Sequence, residues 1–153
     1  MTPPARTATR TRVSRRIVAD PTSTALLLAG PTAMELWPGL RHVAEVSGRV
    51  VVEAHVAQDR AAAASVRALP PKRTPTSYVT RFEWAGPGLP ACTAELTLSR
   101  TTTDTGEQGT LAELVVAGSG FEGSVLDHVT LRRMAAGFLS NLARAAELRN
   151  RAA

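Results

Sequence analysis

The chain has 153 residues, 44% hydrophobic and 20% charged, which describes an ordinary globule rather than a disordered chain. Its single cysteine, Cys92, excludes an internal disulfide framework and any zinc site built on four cysteines or on two cysteines and two histidines. The formal charge of +5 resides in the first sixteen residues, where Arg6, Arg10, Arg12, Arg15 and Arg16 stand without an acid; the other 13 Lys/Arg balance all 13 Asp/Glu, and a neutral body has no need of a phosphate-binding face.

Residues 1–8 read as a flexible basic arm, and residues 9–153 as one domain, large enough to hold its core without a disulfide or metal. The arginines carry no interleaved aromatic for base stacking. They fit a solvated tail running into an exposed edge strand, where cations discourage strand-to-strand association; electrostatic attachment to nucleic acid or anionic lipid is the rival reading. No apolar segment follows closely enough for a signal peptide. The longest early apolar run, Ala25-Leu26-Leu27-Leu28-Ala29, is far too short to span a bilayer. A cytoplasmic protein without a transmembrane segment is expected.

Thr9 to Ala19 is β-capable. Asp20-Pro21 then signals a helix start, a capping acceptor before proline at the first helical position, and predicts a short helix over 21–29. Gly30-Pro31 begins a second short helix carrying Met34, Leu36 and Trp37, stopped by Pro38-Gly39. Strands follow: 41–46, a Ser47-Gly48 turn, and a valine-rich 49–57. Gln58-Asp59-Arg60 reads as a turn. Ala61 to Leu69 is ambiguous, because its alanines favour helix while its length and its position between strands fit a strand. Pro70 to Thr76 reads as a stiff loop. Ser77 to Ala85 alternates cleanly, with Tyr78, Thr80, Phe82 and Trp84 on one face and Ser77, Val79, Arg81 and Glu83 on the other. Ala91 to Arg100 alternates Cys92, Ala94, Leu96 and Leu98 against polar residues, and 109–117 is the last strand. A long helix over 125–149 puts Leu131, Met134, Ala135, Phe138, Leu142 and Ala145 on one face, with Arg132, Arg133, Ser140, Arg144 and Glu147 on the other side. Strands segregated from helices imply an antiparallel α+β layer.

Gly118-Ser119-Gly120-Phe121-Glu122-Gly123 has dinucleotide-fingerprint spacing. The chain ends with the following helix, however, so the second parallel strand and its ribose-binding acid are missing. The stretch fits a flexible connection that folds the long helix back over the sheet. His42, His55 and His128 have no ligand spacing, so no metal or cofactor is expected. Glu53 and His55 share a strand face and could exchange a proton, or simply form its solvent side. Cys92 lies on an apolar face and reads as an inert thiol. Of the six aromatics, Tyr78, Phe82 and Trp84 share one face of one strand, Phe138 faces inward from the long helix, and Trp37 closes the short helical pair. Core packing explains each singly. Together, with the polar tips of Tyr78 and Trp84, they describe the apolar wall of a small-molecule pocket.

The opening strand, Ala19-Asp20-Pro21, the short helices, Leu36-Trp37-Pro38-Gly39-Leu40, the Pro70–Tyr78 stretch before an aromatic strand, and the closing helix resemble the START-like, helix-grip superfamily called SRPBCC. The polyketide cyclase/dehydrase-like branch is the most similar, over about residues 9–150. The resemblance implies a strand at 61–69 and a curved seven-stranded antiparallel sheet wrapped around the C-terminal helix, with two short helices after the first strand. It also implies a cavity between sheet and helix, with Trp37, Tyr78, Phe82, Trp84, Met134 and Phe138 on its walls. Three functions follow as alternatives. The first is binding of a small hydrophobic or aromatic ligand, lipid-, quinone- or polyketide-like. The second is a cyclase/aromatase or dehydratase, with Tyr78 or His55 handling protons. The third is a protein–protein adaptor or toxin-like regulator. The expected partner is a small hydrophobic ligand and not nucleic acid, and a homodimer is compatible with the sequence.

Overall fold

A computed structural model describes residues 9–29, 31–38, 40–46, 49–57, 60–69, 72–86, 89–102, 104–118 and 128–152. The elements are β1 (Thr9–Ile17), α1 (Pro21–Leu26), a 3-10 helix (Pro31–Leu36), β2 (Leu40–Val46), β3 (Arg49–Ala57), β4 (Arg60–Ala68), β5 (Lys72–Arg73), β6 (Ser77–Gly86), β7 (Leu89–Thr102), β8 (Gln108–Gly118) and α2 (His128–Ala152). Seven strands follow the order β1-β8-β7-β6-β4-β3-β2, and β5 pairs with β6 off that path. Every pairing is antiparallel. The fold is the expected α+β sheet closed by a long C-terminal helix. The basic arm at 1–8, the Ser47-Gly48 turn and residues 119–127 of the glycine-rich connection lie outside the described residues. Among the described residues, no helix is long and apolar enough to cross a membrane.

Period-2 burial builds the sheet. Phe82, Ala94, Leu96, Leu98, Ala112, Leu114 and Val116 are buried, while Arg81 and Glu95 on alternate positions are exposed. Where the aromatics sit, large side chains oppose small ones across the ladder, Phe82 against Ala94 and Trp84 against Cys92, so the inner surface interlocks there. The alanine-rich 60–68 segment is a strand because it pairs on both edges, with β3 and with β6; tertiary pairing overrides helix propensity. One departure from the sequence expectation is β5, within the stretch read as loop. Lys72 pairs with Val79 and Arg73 with Tyr78 because Thr74 closes a tight reversal. Its hydroxyl accepts the Ser77 N–H at 2.9 Å, and its own N–H donates to the Ser77 carbonyl at 2.8 Å. At the sheet edge, β1 carries exposed Arg10, Arg12 and Arg16. The Arg16–Asp104 pair at 3.1 Å has side chains 58% and 97% exposed, which makes it worth about 0–1 kcal/mol.

Polar ties set the crossings between layers. The buried Thr110 hydroxyl donates to the Ala19 carbonyl at 2.6 Å. The Val18 N–H donates to Glu147 Oε1 at 3.1 Å, and Asn141 Nδ2 donates to the Leu36 carbonyl at 2.8 Å. They join the β1–α1 corner to β8 and α2, and the 3-10 helix to α2. The buried stripe of α2 includes Ala135, Phe138, Leu139, Leu142, Ala143 and Ala146. It is rotated and broader than the one read from sequence, which missed Leu139, Ala143 and Ala146 and included Ala145, here half-buried. The helix packs against β1 and β8 on the sheet and also against α1 and the 3-10 helix, so more than one face of it is covered.

Helix α1 starts as its sequence dictates. Asp20 Oδ1 accepts the Ser23 N–H at 2.7 Å and Pro21 takes the first helical position. That N–H bond holds the Asp20 carboxyl below its ordinary value of 3.8, against a smaller upward push from desolvation. A folded-state value below the unfolded one favours folding above the unfolded value and is lost as pH falls through the folded one. Asp20→Ala is therefore expected to cost about 1 kcal/mol near neutral pH. In urea titrations at stepped pH, the gap to the parent chain should close as pH drops below 3.8; a gap that persists or widens there would refute the cap assignment.

Candidate ligand site between sheet and helix

The inner row of β6 carries Tyr78, Thr80, Phe82 and Trp84 into the concavity. Helix α2 lowers Met134 and Phe138 onto them, and Trp37 enters from just beyond the 3-10 helix. All six sequence-nominated residues belong to one apolar cluster. Trp37 stacks on Phe138 with ring centroids 4.3 Å apart. Trp84 meets Trp37 edge-on at 4.8 Å. Phe82 lies 6.2 Å from Trp37 and 6.0 Å from Phe138, edge-on to both. Such pairs add about 0.5–1.5 kcal/mol each beyond the area they bury. Phe82 and Phe138 are fully buried and Trp37 is 2% exposed, so the centre of the cluster is filled by its own rings. Tyr78, Trp84 and Met134 are half-buried at its margin.

The polar tips of the cluster differ in how they are satisfied. Tyr78 has a partner, its hydroxyl lying 2.9 Å from the Thr22 hydroxyl on α1. The orphan is Trp37. Its indole Nε1 is buried and meets no acceptor among the described residues. A buried unpaired donor costs about 1–3 kcal/mol, and the neighbouring ring faces are weak acceptors. Sequence reasoning credits the polar tips of Tyr78 and Trp84 and not this one, since whether a donor is satisfied depends on its neighbours in the fold.

Sequence reasoning also passed over a second concavity at the Tyr78 end. A pocket of about 420 Å³ lies between the start of α1 and the β5–β6 reversal, lined by Pro21, Thr22, Arg73, Thr74, Pro75, Thr76, Ser77, Tyr78 and Arg100. Tyr78 belongs both to it and to the aromatic cluster.

The remaining chemical candidates add little. Burial pushes the Cys92 thiol up to about 12, so it stays protonated and non-nucleophilic at neutral pH. Iodoacetamide is expected to label Cys92 only after denaturant unfolds the chain; stoichiometric labelling of the native protein within minutes would contradict that burial. Only the backbone is described for His42, Glu53, His55 and His128, so the Glu53/His55 pair lies outside the described side chains.

No protein-family model matches the chain, and no curated protein matches its sequence. Solved structures do match in shape. The Zhui aromatase/cyclase from a Streptomyces species is 16% identical, with 94% of this chain and 96% of that one covered at a TM-score of 0.64. Truncated norcoclaurine synthase from Thalictrum flavum is 7% identical, with 95% and 97% covered at 0.64. A major latex-like protein from Panax ginseng is 11% identical, with 91% and 97% covered at 0.59. These likenesses are of fold, over nearly the whole length of each chain. The chain has the helix-grip architecture that the resemblance to SRPBCC proteins implied.

Proposed function

We propose that the concave face binds a small hydrophobic or aromatic ligand, lipid-, quinone- or polyketide-like, with Trp37, Tyr78, Phe82, Trp84, Met134 and Phe138 as its walls. The observation that carries the reading is the buried Trp37 Nε1 without an acceptor among the described residues, set in an aromatic cluster whose margin is half-open. A planar ligand bearing a carbonyl or phenolic oxygen would satisfy that donor and stack on the same rings. Entry requires Trp84 and Met134 to swing aside, because the centre is closed by Phe82, Phe138 and Trp37.

Binding fits the inner face better than turnover does. Among the described residues, the buried polar side chains there include Thr11, Thr80 and Thr110, which are neutral hydroxyls rather than an acid–base pair, and the Cys92 thiol is protonated. The aromatase/cyclase and the norcoclaurine synthase among the structural neighbours support the second reading, catalysis of ring closure in the same cavity. That reading needs a proton-handling side chain such as Tyr78 or His55.

Native mass spectrometry of the protein purified from its own host decides between occupied and empty. An added mass that disappears on denaturation supports the reading. Trp37→Phe, which keeps the ring stack and removes the N–H, should retain less of that mass. A bare chain, still bare after incubation with quinones and aromatic polyketides, would refute it.

A further inference from the structure

We propose that the pocket between α1 and the β5–β6 reversal is an oxyanion site, and that the ligand of the concave face is an amphipathic acid whose carboxylate or phosphate is held there by Arg73 and Arg100. The inference rests on the apolar-site reading above and adds the chemistry of the ligand's other end.

Strand register places both arginines on the apolar side of the sheet. Arg73 pairs with Tyr78, and Tyr78 with Leu98. Leu98 and Tyr78 face inward, and Arg100 follows two residues after Leu98 on the same face. Its cross-strand partner Thr110 is fully buried. The aromatic and aliphatic rows of the concavity thus end in two guanidinium groups rather than in neutral side chains. Both arginines are exposed and both line the 420 Å³ pocket. Among the described residues neither is in an ion pair, the single pair being Arg16 with Asp104. Asp20 senses the charge of Arg100 at longer range, but its carboxylate oxygens accept from the Ser23 N–H at 2.7 Å and the Ser23 hydroxyl at 3.0 Å.

The rest of the wall suits an anion. Thr22 and Tyr78 share a hydrogen bond at 2.9 Å, and either hydroxyl can turn its proton to an incoming oxygen. The reversal that carries Arg73 is pinned by Thr74, whose hydroxyl lies 2.7 Å from the Ser77 hydroxyl and accepts the Ser77 N–H, so its backbone is set before a ligand arrives. Guanidinium forks match carboxylate and phosphate geometry, and their charge-assisted bonds are about twice as strong as neutral ones. Tyr78 to Phe82 is four residues along β6, roughly 13 Å at ~3.3 Å per residue. A head group at Arg100 therefore lets a decanoyl-sized body reach the aromatic cluster.

The test is isothermal titration of the full chain with decanoate, decyl phosphate and the neutral decanol. Both anions should bind at least about tenfold more tightly than decanol, a difference of ~1.4 kcal/mol. Arg73→Gln and Arg100→Gln, both exposed changes, should each remove most of that preference and leave decanol binding unchanged. The stronger of the two anions identifies the head group as carboxylate or phosphate. Equal affinity for all three, or a preference that survives both substitutions, overturns the oxyanion site while leaving the apolar site standing. Failure of all three to bind overturns the acidic ligand proposed here, while the quinone and polyketide incubations above decide the apolar site.

Discussion

Phe138→Ala is expected to destabilise the fold by about 3–5 kcal/mol, a large share of the roughly 5–15 kcal/mol that holds a domain together. The ring is fully buried. It stacks on Trp37 at 4.3 Å and meets Phe82 edge-on at 6.0 Å, so truncation removes the ring's transfer energy and two aromatic contacts at once. The void cannot collapse easily. Trp37 is bound to Pro38, which α2 itself touches, and Phe82 is fixed in a ladder paired on both edges. Phe138→Leu keeps most of the volume and should cost less than half as much. Urea unfolding followed by Trp37 and Trp84 fluorescence measures both. A loss for Phe138→Ala of under about 0.5 kcal/mol, the range of surface changes, would mean that the ring stands in an open cavity rather than in a filled cluster. Were the loss large and ligand affinity unchanged in the surviving folded fraction, Phe138 would be structural only.

How far the sequence carries depends on whether a signal is local. The row Tyr78, Thr80, Phe82, Trp84 is legible because one face of β6 is buried and the other is not, and alternation records that directly. The α2 stripe is legible for the same reason at helical period, though packing against α1 and the 3-10 helix as well as the sheet widens it beyond the narrow face that spacing predicts. The 60–68 strand is not legible from its own residues. Alanine encodes no period, and what makes the segment β is the pair of ladders on either side, so only the resemblance of the whole element order reached it. β5 escaped notice because a two-residue ladder follows from one threonine hydroxyl closing a turn, a geometric consequence with no periodic trace. In the site, the six apolar residues could be nominated together because rows and stripes identify inner faces. Arg73 and Arg100 could not. A charge at the end of an inward row looks like a charge in solvent until the register shows which face it continues. The orphaned Trp37 N–H is invisible for the opposite reason, since satisfaction of a donor depends on every neighbour and not on its own residue type.

Gly137→Ala should destabilise the protein, reversing the sign that helix propensity alone assigns. Within α2 an alanine is favoured over glycine by about 1 kcal/mol. The Cβ at this position, however, would be driven into Cγ of Pro38. The proline ring closes on its own backbone nitrogen and cannot rotate out of the way, so relief means moving either Pro38 or the helix. Pro38 carries Trp37 with it, and Phe138 follows Gly137 directly, so both partners of the 4.3 Å stack are chain neighbours of the collision. Overpacking of this kind costs about 1–3 kcal/mol, enough to cancel the propensity gain and leave a net loss. Gly106 gives the contrast. It adopts φ +82 in a turn, with nothing within 4 Å of the point where an added methyl would stand. Gly106→Ala therefore costs backbone conformation alone, about 1 kcal/mol, and should leave the Trp37–Phe138 pair undisturbed. Near-ultraviolet circular dichroism separates the two mechanisms. Gly137→Ala should alter the tryptophan bands as well as lowering the melting temperature, and Gly106→Ala should lower the melting temperature with the bands intact. A Gly137→Ala chain that is more stable than its parent, with an unchanged tryptophan spectrum, would show that α2 and the Trp37-Pro38 segment are not in contact. The wall of the proposed ligand site would then have to be drawn without Trp37.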